Sequence, residues 1–329
     1  MNIRALLAFV SICFVNGAAY AQTPLRVIVF PGGANLPLWV AQEKGLFAHE
    51  GVAVKITPTP NSVFLIQSLM KGEQDIALSA FDNVVAYQEG QGEVGLANDP
   101  DFFAFMGFSH GTVRLVVAPT IRGYADLKGK TLAVDALSTG YSLVLIKLLQ
   151  LGGLNPGDYQ LESVGGTALR ARLLMENKYP ATILTTPLEL LPESKGYRRL
   201  ANVQDVLGAY QTIVGMARRS WANSHKEALT AFIRASVAAL DWIFDAKNRA
   251  EAVAIYRKYV PDAGEPAADA AITVMTGERE GFARGGRMDL GGVTAVLKIR
   301  SELGRPPKQL TDPSRYLDDS YLRAASAAK

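Results

Sequence analysis

Short strand-like apolar runs alternate with helix-length segments from residue 25 onward, and the alternation is played twice. No other feature constrains the fold as much. Leu25-Arg26-Val27-Ile28-Val29-Phe30 is rich in β-branched residues and reads as a buried parallel strand. A glycine-rich turn, Pro31-Gly32-Gly33-Ala34-Asn35, leads into a helix over 36–44 that stops at Gly45. A strand over 52–56, a helix over 61–71, a short strand over 75–78 and a helix over 83–89 complete the first block. The second block has strands over 113–119, 131–134, 159–164 and 181–184, with helices over 138–151 and 168–176. A further strand over 211–218 is followed by helices over 225–245, 249–259, 265–276 and 291–303. Strands alternating with helices place the chain in the α/β class with mainly parallel sheets.

Two such blocks and a helical tail predict two lobes, each a mainly parallel sheet flanked by helices, with a cleft between them. Residues 24–111 together with 212–329 form the first lobe and 112–211 the second. The chain crosses between them near Gly111-Thr112-Val113 and near Tyr210-Gln211-Thr212. A chain of 329 residues is long enough for two cores.

The N-terminus has the three-part layout of a secretory signal peptide over 1–21. Arg4 precedes an apolar run, and Ala19-Tyr20-Ala21 offers an A-x-A cleavage pattern before Gln22. The run over 5–15 is shorter than the roughly 20 residues of a membrane span. The single cysteine, Cys13, falls inside this leader and follows Ile12, where a lipoprotein signal has Gly or Ala. A mature chain without thiols has no disulfide, cysteine nucleophile or cysteine-based metal site. The formal net charge of +3 is too small to argue for nucleic acid or a membrane surface as partner. The expected location is periplasmic.

Several catalytic signatures fail. Gly129-Lys130-Thr131 has the ending of a phosphate-binding loop, but Tyr124 stands where its first glycine belongs and a strand follows instead of a helix. Gly140-Tyr141-Ser142-Leu143-Val144 lacks the second glycine of a nucleophile elbow. His49, His110 and His225 have no metal-ligand spacing; His110 alone sits at a lobe crossing, where it faces either a ligand or a structural partner. No catalytic residue, metal or cofactor is assigned.

In open α/β sheets, ligands bind beyond the carboxyl ends of the strands. Those positions hold small and polar residues here: Gly33 and Asn35; Ser79, Phe81, Asp82 and Asn83; Ser138, Thr139, Gly140 and Tyr141; Gly166 and Thr167; and Thr186. Glycines let a ligand approach the backbone, and free amides at a helix start favour an anion or a carbonyl oxygen. The same residues have a plainer use, because Ser138, Thr139 or Asp82 would serve equally as helix caps. Trp39, Phe81 and Tyr141 are candidates for an aromatic wall. Arg170 and Arg114 are candidates to clamp a carboxylate or sulfonate through two parallel hydrogen bonds.

Pro37-Leu38-Trp39-Val40-Ala41-Gln42-Glu43-Lys44-Gly45-Leu46-Phe47, with Glu50-Gly51-Val52 and Val54, resembles the start of a periplasmic binding protein family. Its members bind sulfonates, taurine, nitrate and the pyrimidine precursor of thiamine. Gly72-Glu73-Gln74-Asp75-Ile76-Ala77, Asp126-Leu127-Lys128-Gly129-Lys130-Thr131, Thr139-Gly140 and Arg218-Arg219-Ser220-Trp221 continue the resemblance, in order, over nearly the whole mature chain. The resemblance implies a type II periplasmic-binding fold and a monomer that closes on a small organic molecule, anionic or aromatic. It also implies delivery of that molecule to an ABC permease and its ATPase. A eukaryotic branch of the family makes the thiamine pyrimidine from one of its own histidines and carries a cysteine-rich motif. This chain lacks such a motif and begins with an export leader, which favours a non-enzyme. A ligand-sensing module for a membrane receptor is the third reading.

Overall fold

The computed structural model describes residues 22–96, 98–110, 113–278 and 280–327. The expected signal peptide over 1–21 lies outside the described residues, as do Gly111 and Thr112 of the first crossing. In chain order the first block is β1 (Thr23–Val29), α1 (Leu36–Glu43), α2 (Leu46–His49), β2 (Val52–Pro58), α3 (Ser62–Met70), β3 (Ile76–Ala80), α4 (Phe81–Gln88) and β4 (Phe102–Gly107). The second is β5 (Val113–Val117), β6 (Thr131–Val134), α5 (Gly140–Leu151), β7 (Gln160–Ser163), α6 (Thr167–Met175), β8 (Ala181–Thr185), α7 (Leu190–Ser194), β9 (Arg198–Asn202) and α8 (Val203–Leu207). β10 (Ile213–Arg218) and α9 (Arg219–Ser224) precede the helical tail: α10 (Lys226–Phe244), α11 (Arg249–Tyr259), α12 (Glu265–Met275), α13 (Leu290–Leu303) and α14 (Ser320–Ala327).

The strands form two five-stranded sheets, ordered β2-β1-β3-β10-β4 and β7-β6-β8-β5-β9. β1 runs parallel to β2 and β3, whereas β10 is antiparallel to both β3 and β4. In the second sheet β6 runs parallel to β7 and β8, and β5 is antiparallel to β8 and β9. The one reversed strand of each sheet is therefore the strand that has just crossed from the other block. Each sheet is mainly parallel, as the alternation predicts.

Side chains on successive residues of a strand point to opposite faces. Ile28 of β1 accordingly enters one core while Val27 and Val29 enter another. The outer core is capped by α10, which aligns Leu229, Phe232, Ile233, Ser236, Leu240 and Ile243 on one buried face. The other core runs without a break from the first sheet into the second, through Phe81 and Val84 of α4, Val293 and Leu297 of α13, and Val144 and Leu148 of α5. The tail helix α13 is thus packed between the lobes, its N-terminus capped by Asp289, whose carboxylate accepts from the amides of Gly291 and Gly292.

The two crossings lie side by side. Gln211 Nε2 and Thr212 Oγ1 both donate to the Ser109 carbonyl, at 3.1 and 2.9 Å. The amides of Phe108 and Ser109 donate to the Ile213 carbonyl. Two strands have no counterpart in the sequence reading. β4, Phe-Phe-Ala-Phe-Met-Gly, is wholly buried, and β9 is a polar edge strand.

Candidate functional site

A cleft of about 920 Å³, counting its open mouth, lies where the carboxyl ends of the parallel strands of both sheets meet. The first lobe contributes Phe30, Pro31 and Gly32 to Asn35 beyond β1, Leu78, Ala80 and Asn83 at the β3–α4 junction, and Ser109, Thr212 and Ile213 from the crossings. The second contributes Asp135, Thr139, Gly140 and Tyr141 between β6 and α5, Thr167 and Arg170 of α6, and Thr185 to Leu188 beyond β8. Rings and aliphatic chains make much of the wall, so the polar groups stand out.

Three helices begin at this cleft without a side-chain cap. α4, α5 and α6 follow Ala80, Thr139 and Gly166, none of which accepts from the first turn. Thr139 instead turns its hydroxyl to the Ala136 carbonyl at 2.9 Å. The capping use open to Thr139 on sequence grounds is not made. Helix starts carry partial positive charge, which favours an anion; at α4 the first amide, that of Phe81, already donates to the Thr212 carbonyl at 2.8 Å.

Arg170 is the charged group at the centre. It is 1% exposed, yet no carboxylate pairs with it among the described residues. Its Nε donates to the Gly165 carbonyl at 3.1 Å, and Nη1 donates to Thr182 Oγ1 and the Ile183 carbonyl at 3.0 and 2.7 Å. Nη2 donates to Thr167 Oγ1 at 3.0 Å. Those four bonds go to neutral oxygens and fix the guanidinium plane. A guanidinium has five N–H donors, so one Nη2 hydrogen has no acceptor among the described residues. Burial pushes the Arg170 pKa below its usual value, opposed by the charge of Asp135 and by Tyr141. The Tyr141 pKa is itself pushed upward by burial, and its hydroxyl has no partner among the described residues.

The sequence-derived candidates divide by position. Gly33, Asn35, Asn83, Thr139, Gly140, Tyr141, Thr167, Arg170 and Thr186 line the cleft. Asn35 holds the loop after β1, donating through Nδ2 to the Phe30 and Gly32 carbonyls at 2.8 and 3.0 Å. Seven candidates do not line it. Trp39 stacks on Tyr259 in the outer core, with ring centroids 4.8 Å apart. Phe81 is fully buried at the head of α4, two residues earlier than the helix expected to begin at 83. Ser79 is spent on Asn83, whose Nδ2 donates to its Oγ at 2.8 Å. Asp82 neither caps α4 nor meets the cleft: it is clasped by Arg300 of α13, with Nε–Oδ1 and Nη2–Oδ2 distances of 2.7 and 2.6 Å. Ser138 donates through both its amide and its hydroxyl to Glu93 Oε2 at 2.8 Å. Gly166 sits just behind the wall, its amide donating to the Pro60 carbonyl at 2.9 Å across the lobes. His110 sits at the crossing outside the cleft lining, with its amide donating to the Gly281 carbonyl and its carbonyl accepting from Gln204, while its Nδ1 is buried without a hydrogen-bond partner among the described residues. Burial holds its imidazole below the usual pKa.

Arg114 is also off the cleft. It is buried beneath it, donating to Thr186 Oγ1 and Glu189 Oε1 through Nη1 at 2.8 and 2.9 Å and to Glu280 through Nη2. It props Thr186 from below. Asp135, Phe30 and Leu188 line the cleft and were missed. The signal for Asp135 was available: it directly follows a strand, Thr131–Val134, as the other candidates do.

Residues 34–250 match the family model described as NMT1/THI5 like. Comparison with curated proteins finds no match. Among solved structures, one from Bordetella bronchiseptica RB50 is 21% identical and superposes with a TM-score of 0.79, covering 94% of this chain and 98% of that one. The periplasmic nitrate-binding protein NrtA from Synechocystis PCC 6803 is 14% identical with a TM-score of 0.76 over 93% of this chain and 89% of its own. The zinc-bound ligand-binding component of an ABC-type import system from Staphylococcus aureus is 14% identical, with a TM-score of 0.73 over 92% and 99% of the two chains. These superpositions carry the fold, which is that of periplasmic binding proteins. The family model runs from the loop after β1 to the start of α11, more than half of the chain, and the chain belongs to the NMT1/THI5-like family.

Proposed function

We propose that the protein is an extracytoplasmic solute-binding protein. It holds a small organic anion between its two lobes and hands it to an ABC importer without altering it. The observation that carries this reading is Arg170, a buried guanidinium at the cleft, paired only with neutral oxygens and surrounded by uncapped helix starts. A fixed positive charge in a low-dielectric cleft favours an anion more strongly than one in water. Tyr141 Oη on one lobe, and Asn35 Oδ1 and Asn83 on the other, have hydrogen-bonding capacity not used among the described residues, and the apolar wall of Phe30, Leu78, Leu188 and Ile213 suits a carbon skeleton. The likeness to the ligand-binding component of an ABC-type import system supports delivery to a transporter.

A thermal-shift screen tests this with alkanesulfonates, aromatic and aliphatic carboxylates, nitrate and pyrimidines. A ligand at a hundred times its dissociation constant stabilises the fold by about 2.7 kcal/mol. The expected hit is an organic anion, recovered chemically unchanged by mass spectrometry. Arg170→Lys, which keeps the charge but loses the planar fork, weakens it, and Arg170→Gln abolishes it. A hit whose affinity survives Arg170→Gln in a folded protein excludes the anion reading, and an altered product excludes a purely binding role.

A further inference from the structure

The cleft contains a second charge that an anion does not satisfy. Asp135 follows β6 directly and lines the cleft on the same lobe as Arg170. One carboxylate oxygen, Oδ2, accepts from the Ser62 amide of the opposite lobe at 3.3 Å. The other, Oδ1, is buried with no hydrogen-bond partner among the described residues. Asp135 is the first of the groups whose charge acts on Arg170, yet the two form no ion pair. Two opposite charges on one wall each retain an unmet hydrogen-bonding valence, and Tyr141 Oη adds a third polar atom without a partner. A buried carboxylate oxygen left without a donor is costly. It also repels a plain anion entering beside it.

We infer that Asp135 is a selectivity residue, and that the solute carries an N–H donor group, an amine or amino-substituted ring, next to the anionic or acceptor group that meets Arg170. The inference rests on the reading of the cleft as a solute site. A molecule with both groups satisfies Asp135 Oδ1 and the spare Arg170 Nη2 hydrogen together. A molecule with only the anionic group satisfies one and is repelled by the other. The Ser62–Asp135 bond means that the carboxylate is oriented by the first lobe, so selection operates in the closed arrangement.

The test is calorimetric titration of the purified protein with matched pairs that differ by one amino group: 2-aminoethanesulfonate against ethanesulfonate, alanine against propanoate, and 4-aminobenzoate against benzoate. In at least one pair the amino member is expected to bind at least about tenfold tighter, the worth of one charge-assisted hydrogen bond. Asp135→Asn is nearly isosteric. It is expected to remove that preference and to tighten the plain anion, from which it takes away the repelling charge. Circular dichroism checks that the variant is folded. Plain anions binding as tightly as their amino partners, or a preference unchanged by Asp135→Asn, overturns the inference and leaves the solute-binding reading standing. No binding by either member of any pair, in a folded protein that other solutes stabilise, also overturns it. Silence toward every solute in both experiments removes the solute-binding reading as well.

Discussion

At the residue scale one close fit at the cleft is between Gly140 and Asp82. A Cβ at Gly140 would lie 2.4 Å from Asp82 Cγ and 2.5 Å from its Cβ. Asp82 cannot swing aside, because Arg300 grips both of its carboxylate oxygens in a buried pair. Alanine is ordinarily a better helix residue than glycine. Here the steric term has the opposite sign and is larger, about 1–3 kcal/mol for an overpacked buried contact. Gly140→Ala is therefore expected to lower the melting temperature by a few degrees and to weaken solute binding, since α5 must move away from α4. A variant that melts at or above the parent temperature would show that helix propensity wins and that the contact yields freely. The pair also explains why Asp82 was misread from sequence. A carboxylate at a strand end beside a helix start is a fair cap or ligand candidate, and its partner lies 218 positions away on a tail helix. Arg170 was legible for the converse reason: its acceptors come from Gly165, Thr167, Thr182 and Ile183, all within its own block.

Local patterning made most elements legible, and long-range pairing hid the rest. Strands such as β1, β2 and β6 and the long helix α10 carry their periodicity in the sequence. β4 is buried on both faces and lacks alternation, and the polar β9 gains its place only by pairing with β5. The reversed direction of β5 and β10 follows from the crossings and is invisible to any local window. The tail's attachment to the first lobe is another such long-range feature. Glu89, in the turn that ends α4, takes Lys308 Nζ at 2.9 Å, Arg315 Nη2 at 3.2 Å and Tyr316 Oη at 2.8 Å. Burial pushes the Glu89 carboxyl up, but the bonds from Lys308 and Tyr316 and the charge of Arg315 outweigh it, so its pKa is held below the ordinary 4.5. The unfolded chain then binds the proton more readily than the folded one. This contribution to stability is present above pH 4.5 and is lost as the pH falls from there through the depressed folded value. Melting temperatures from pH 7 down to pH 3 should therefore fall less steeply below about 4.5 in Glu89→Gln than in the parent, from a lower starting point. Parallel curves would assign the acid sensitivity to other carboxylates.

For the whole molecule the question is what holds the lobes together. They share the two crossings, the continuous core through α4, α13 and α5, and a set of polar ties around the cleft. Arg300 Nη2 reaches from the tail to the Ser138 carbonyl at 2.7 Å, Glu93 accepts from Ser138, and the Gly166 amide meets the Pro60 carbonyl. All of these ties except the crossings break if the lobes separate. The polar ties are mostly single hydrogen bonds, each worth about 0.5–1.5 kcal/mol net, and the apolar contacts of α4, α13 and α5 add to them. A ligand shifts an opening equilibrium only by the contacts it makes with one state and not the other. In this cleft those contacts come from both lobes at once, with Asn35 and Asn83 on one side and Tyr141 and Arg170 on the other. The solute should therefore act as the last and largest tie. Small-angle scattering of the free protein is expected to give a radius of gyration above the roughly 19 Å of a compact chain of this length, and saturating solute is expected to bring it down to that value. Arg300→Lys, which loses the bidentate grip on Asp82 and the reach to Ser138, should enlarge the free form further while leaving the solute-bound form compact. A free protein already at the compact radius would mean that the protein's own ties suffice for closure, and that the solute enters by local opening of the rim instead of by movement of the lobes.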